Sequence, residues 1–170
     1  MGAKDFLYDH HIVAGLYPVA DAFAGGVDTD VVSLKNYRRA TLVVMTGVVE
    51  DTGTSNLVTI KACTDAAKTN ATTMAYVRRF CASSTTVDTW EALATVAAAG
   101  YNFADRADAG VDNTIWVAEV TADEVGAAFA DANFVYATIA ETANKTLTAC
   151  AFWILSEPRY PQSIPLTAIA

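Results

Sequence analysis

The run Thr146-Leu147-Thr148-Ala149-Cys150-Ala151-Phe152-Trp153-Ile154-Leu155 is the longest apolar stretch of the chain. Its first residues alternate threonine with apolar side chains. Both parities then become apolar, which is the pattern of a strand entering a sheet covered on both faces. The run stops at Ser156-Glu157-Pro158, because proline has no N–H to give to a ladder and pushes the residue before it into an extended or turn conformation. Residues Asn144 to Pro161 therefore read as a central strand with its flanking turns.

Other segments repeat the signal. Arg39 to Val49 reads as a strand, with Leu42-Val43-Val44-Met45 apolar on both faces and Gly47 as a bulge. After the polar turn Glu50 to Asn56, Val58, Ile60 and Ala62 alternate with Thr59 and Lys61, which predicts a hairpin with the preceding strand. Thr72 to Cys81 reads as one strand that places Met74, Tyr76, Arg78 and Phe80 on the same face. Thr114 to Val120 sets Trp116, Ala118 and Val120 against Ile115, Val117 and Glu119, and Phe134 to Ala140 follows in the same style. Val31 to Leu34 reads as a short strand. Residues 87–100 suit either a helix capped by Asp88 and stopped by Gly100, or a strand with Trp90, Ala92, Ala94 and Val96 on one face. The β-rich surroundings tip that choice to strand. Thr121-Ala122-Asp123-Glu124 matches a capping box and predicts a short helix to near Ala130.

About eight strands, short turns and one short helix predict a mainly β, single-domain chain of the β-sandwich or jelly-roll-like kind. Residues 1–30 carry many apolar groups broken by Tyr17-Pro18 and Gly25-Gly26, and read as an extended N-terminal arm lying on its own sheet or on a neighbouring subunit. Residues 31–160 form the sandwich, and residues 161–170 a proline-interrupted extended tail.

Composition narrows the functional classes. Apolar residues make up 53% of the 170 and charged residues only 18%, much of the excess being alanine and valine, which points to apolar surface covered by another subunit. A net charge of -8 argues against direct nucleic-acid binding, because phosphate neutralisation needs clustered Lys and Arg. Two basic pairs stand out, Arg38-Arg39 and Arg78-Arg79, read either as snorkelling strand residues or as a patch for an acidic partner surface. No apolar stretch reaches the ~18 residues of a membrane span. The first residues show no signal-peptide pattern, so synthesis and folding in the cytoplasm are expected. Cys63, Cys81 and Cys150 form no CxxC and read as buried free thiols.

No catalytic constellation emerges, and no cofactor or metal is expected. His10 and His11 are neighbours that a strand would point in opposite directions. The P-loop, the nucleophile elbow and the GxGxxG fingerprint are all missing. Asp28 with Asp30, and Asp105 with Asp108, fall in turns, and Glu91 and Glu119 are the remaining carboxylate candidates. The loop Asp105 to Asp112 has the acidity of a calcium loop, but Ala107 stands at a position that needs an oxygen ligand. Trp90, Trp116, Trp153, Tyr76, Tyr136, Phe134 and Phe152 each fall within a strand pattern and read as core rather than as a carbohydrate-binding face.

Four segments resemble one family. They are Tyr8-Asp9-His10-His11-Ile12-Val13, Ser33-Leu34-Lys35-Asn36-Tyr37-Arg38-Arg39-Ala40, Trp116 to Glu124, and Ala151 to Tyr160. Together they resemble virion structural proteins of tailed bacteriophages, and more narrowly the small capsid decoration, or cement, proteins. That resemblance implies a β-rich fold, a homotrimer, and a place on the outer capsid surface. There the major capsid protein would be the partner and neighbouring capsomers would be bridged. It carries over no catalytic residue. Lys35, Tyr37, Arg38, Arg39, Arg159 and Tyr160 are the expected contact residues, since Arg and Tyr make strong interface anchors, although the same residues would also serve to pin the arms to the sandwich. Two other readings stand beside this one: a tail or head-tail connector subunit, and a carbohydrate-binding β-sandwich module.

Overall fold

The alternating segments become antiparallel strands in two sheets. The structure is a computed structural model, and it describes residues 6–49, 56–81, 89–102, 113–141, 146–160 and 168–169. In chain order the elements are α1 (Phe6–Asp9), β1 (His11–Val19), β2 (Val27–Asp28), β3 (Val32–Ser33), β4 (Tyr37–Val49), β5 (Asn56–Cys63) and β6 (Thr72–Met74). They continue with β7 (Tyr76–Phe80), β8 (Ala94–Val96), β9 (Tyr101–Asn102), β10 (Ile115–Thr121), α2 (Ala122–Ala128), β11 (Phe134–Glu141) and β12 (Leu147–Pro158). The first sheet runs β1-β12-β4-β10-β7-β8 and the second β2-β11-β5-β6, with β3 also on β11 and β9 on β5. The expected mainly β fold is therefore present, as two open antiparallel sheets rather than a closed barrel.

The apolar run is β12, an interior strand held by β1 on one side and β4 on the other. Its inward row, Leu147, Ala149, Ala151, Trp153 and Leu155, is buried throughout. Those side chains join Leu42, Val44 and Trp116 of the first sheet to Val58, Ile60, Ala137 and Ile139 of the second in one core cluster. Each such valine, leucine or isoleucine side chain contributes roughly 1.5–3 kcal/mol by leaving water. Helix α2 has its full capping box: the Thr121 hydroxyl accepts the Glu124 amide, and the Glu124 carboxylate accepts the Thr121 amide at 2.7 Å. Its Val125 is buried, and it touches β4 and β10 of the first sheet as well as β5 and β6 of the second, closing one end of the sandwich.

Several local expectations change. The predicted hairpin does not form, because β4 lies in the first sheet and β5 in the second. Their alternation reports that each buries one face, and it does not say which neighbour takes their amides. The single strand expected over residues 72–81 is two strands, since the chain leaves the second sheet at Met74 and enters the first at Tyr76. Among the described residues, nothing supplies the cover expected on the second face of β12. Its outward Cys150, Phe152 and Ile154 are half-buried, shaded by neighbours in the same sheet rather than by a further layer among the described residues.

Other elements fill in as follows. Residues 94–96 are strand, as favoured. The N-terminal segment lies on its own sheet: after the single helical turn α1, residues 11–19 are the edge strand β1. At the other end Ala168 is buried, and its carbonyl accepts the Ser33 amide at 2.8 Å. Cys63 and Cys81 are buried free thiols as expected, whereas Cys150 is half-buried on the outer face. The acidic loop at residues 105–112, the turn at residues 50–55 and the tail at residues 161–167 lie outside the described residues.

Candidate interaction surface

The antiparallel register of β4 with β12 sets Arg39 opposite Ser156 and Tyr37 opposite Pro158, while β10 sets Thr121 opposite Arg39. Three chain segments distant in sequence thus end together at one corner of the first sheet. Glu157 adopts a left-handed φ of 56°, which turns the strand end, and the Arg159 amide donates to the Asn36 carbonyl at 2.9 Å. The result is a cleft of about 430 Å³ lined by Arg38, Arg39, Thr121, Asp123, Glu157 and Arg159.

Within it the three arginines differ. Arg39 is committed internally: its Nε donates to Glu157 Oε1 at 3.1 Å and its Nη1 pairs with Glu119. Burial works against the Arg39 charge, but Glu119 and Glu157 outweigh it and hold the guanidinium firmly protonated. The groups are about a third or more exposed, so the pairs orient side chains and add on the order of 0–1 kcal/mol each. Arg38 and Arg159 are exposed and make no side-chain ion pair among the described residues. With Asp123 and Glu157 on the same lip, the cleft is mixed in charge, suited to polar docking rather than to trapping a free anion.

Of the six residues expected as contacts, Arg38, Arg39 and Arg159 share this cleft. Tyr160 is 63% exposed and does not line it. Lys35 is exposed on the second sheet, its Nζ 4.9 Å from the centre of the Phe134 ring. Tyr37 is a correction. It is 2% exposed, with its hydroxyl 3.4 Å from His11 Nδ1, so it is a core side chain and not a surface contact. Sequence reasoning missed the acidic half of the cleft, Asp123 and Glu157, whose only local signals were a helix cap and a strand end.

The other chemical candidates resolve as structure. Glu119 pairs with Arg39, and Glu91 with Arg78 at 3.4 Å. His10 Nδ1 faces the Phe6 carbonyl at 3.1 Å, and His11 faces Tyr37. Among the described residues no group of three or more His, Cys, Asp or Glu is placed to hold a metal, and no helix is long and apolar enough to cross a membrane. Trp116, Trp153, Tyr76, Tyr136 and Phe134 are buried as expected, while Trp90 is 40% exposed.

No family model matches the chain, and no curated protein matches it. Among solved structures, the SPBc2 prophage-derived protein YomS is similar over 88% of this chain and 94% of its own, at 9% identity and a TM-score of 0.44. A family two carbohydrate esterase from Cellvibrio japonicus is similar over 92% of this chain and 36% of its own, at 8% identity and a TM-score of 0.19.

Proposed function

We propose that this chain is a non-enzymatic structural protein of a tailed-phage virion, a decoration protein that binds the outer capsid surface and bridges neighbouring capsomers. The observation that carries the reading is the corner cleft, where Arg38 and Arg159 project without an ion-pair partner among the described residues while Arg39 is anchored between Glu119 and Glu157. Planar guanidinium groups fixed on strand ends give directional, bidentate contacts to carboxylates and backbone carbonyls of a partner. The segments that supply these arginines are also among those that resemble decoration proteins. The anchored Arg39 holds the corner in shape, and the free pair makes the contacts to the major capsid protein.

The test is co-sedimentation with undecorated shells. Arg38→Ala combined with Arg159→Ala is expected to lower shell occupancy at least tenfold while the melting temperature stays within a few degrees of the parent. Full occupancy by that double variant sinks the proposal. Arg39→Ala separates the roles, since it removes the anchor and is expected to lower both occupancy and stability.

A further inference from the structure

Strands β12 and β4 are apolar on both parities, and their outward side chains have no second layer over them among the described residues. Register places Ala14, Phe152, Val43 and Val117 side by side across four strands. Ile12 lies beside Ile154 in the row on one side, and Met45 beside Cys150 in the row on the other. Ile12 is 51% exposed and Met45 43%. The second sheet treats its outer face differently: Phe134 and Tyr136 there are covered by the ammonium groups of Lys35, Lys61 and Lys68, at 4.5–5.7 Å from the ring centres. The first sheet's apolar rows have no such cover among the described residues.

We propose that this outer face of the first sheet is the surface on which a second copy of the chain packs. Six strands at ~4.8 Å spacing, with about six residues each on average at ~3.3 Å (three in β8 and five in β7), give a face of roughly 600 Å². That is the whole face, its polar positions included, and it approaches the ~800 Å² per partner of a standard interface. Charge at this face permits a like copy. The chain carries a net charge of -8, so two copies repel wherever their acidic surfaces meet. On this face the outward charged groups of the paired strands are Arg39, Arg79 and Glu119, and with Glu157, which the Arg39 Nε reaches, positive and negative charges balance, so the face adds little to that repulsion. Twisted sheets of the same hand stack face to face in aligned packing, so an identical face is a geometrically matched occupant.

One margin deepens into a socket. A cleft of about 410 Å³ there is lined by Val77, Val117, Trp90 and Leu93 together with Arg78, Arg79 and Glu119. An exposed tryptophan beside an apolar pocket is the usual anchor of such an interface. It also supplies a reporter, because Trp116 and Trp153 are 1% and 0% exposed and Trp90 is the tryptophan that association would desolvate.

The experiment is light scattering of the purified full chain across a dilution series, with intrinsic fluorescence read in parallel. The parent is expected to run at two chains or more, falling on dilution with a red shift in emission that Trp90→Phe removes. Met45→Glu and Ile12→Glu, both at exposed positions, are each expected to weaken association at least tenfold with unchanged circular dichroism. A parent that is a single chain at every concentration overturns the proposal. So does an assembly that keeps its mass in a folded Met45→Glu or Ile12→Glu variant. The measurement uses no shells, so its outcome is independent of the capsid reading.

Discussion

The indole N–H of Trp153 donates to the Thr29 hydroxyl at 3.2 Å, tying the interior strand β12 of one sheet to the segment between β2 and β3 on the other. The same oxygen accepts the Ala137 amide at 3.0 Å and donates to the Asp30 carbonyl at 3.2 Å. One buried hydroxyl therefore satisfies two buried donors.

Thr29→Val keeps the shape and removes the acceptor, leaving both donors unsatisfied, at about 1–3 kcal/mol each. We expect a loss of about 2–4 kcal/mol in urea unfolding, against ~1 kcal/mol for Thr29→Ser, which retains the oxygen. Equal stability of parent and Thr29→Val would show that the bond contributes nothing.

Gly100 has φ of +96°, and a Cβ there would lie 2.6 Å from the Val58 carbonyl oxygen and 2.7 Å from Thr59 Cγ2. The glycine lets β9 close onto β5, where Tyr101 pairs with Val58. Gly100→Ala adds left-handed strain to a backbone clash and is expected to cost about 2 kcal/mol or more. Thermal unfolding checks this, and an unchanged midpoint would refute the close approach.

Asp28 reports acid stability. Burial works against its charge, but hydrogen bonds from Lys68 and Thr138, each at 2.6 Å, outweigh it with help from the Lys68 and Lys61 charges and hold the carboxyl below its usual value. A depressed folded value means that the contribution is present above the unfolded pKa and disappears as pH falls through the folded one, which is below about pH 4. Asp28→Asn should flatten the fall in melting temperature over that acid range. A parent-like acid slope in the variant would show that the pair is not coupled to folding.

Tyr76 acts at the other end of the scale. Its hydroxyl donates to the Val58 carbonyl at 2.9 Å, and burial pushes its ionisation far above the ordinary tyrosine value. The raised value stabilises the fold below the unfolded pKa of ~10, and that contribution is lost as pH rises past it. Tyr76→Phe is expected to lose about 1 kcal/mol at neutral pH and to show a shallower alkaline decline. Identical alkaline curves for parent and variant would count against it.

Much of this was written in local pattern. The inward faces of β5, β7 and β10 follow from alternation, as Val58 and Ile60, Tyr76 and Phe80, and Trp116 and Ala118 show. The α2 start follows from Thr121 and Glu124, because a capping box is satisfied within four residues and needs no distant partner. The cleft was legible only as its ingredients. Arg38-Arg39 and Arg159 stood out as charged residues beside strands, but Arg39 meets Glu157 from 118 positions away, through a register that no short segment encodes.

The chain by itself determined that β5, β10 and β11 are strands, which face β5 and β10 bury, and where the helix begins, since these depend on period, propensity and bonds within a few residues. Tertiary structure decided which strands are neighbours. Separating β4 from β5 and β6 from β7, it sent Tyr37 inward and left the outer face of β12 without a further layer among the described residues. The physical reason is that a strand's amides and carbonyls accept any antiparallel neighbour equally well. The choice among neighbours is made by packing the whole core at once.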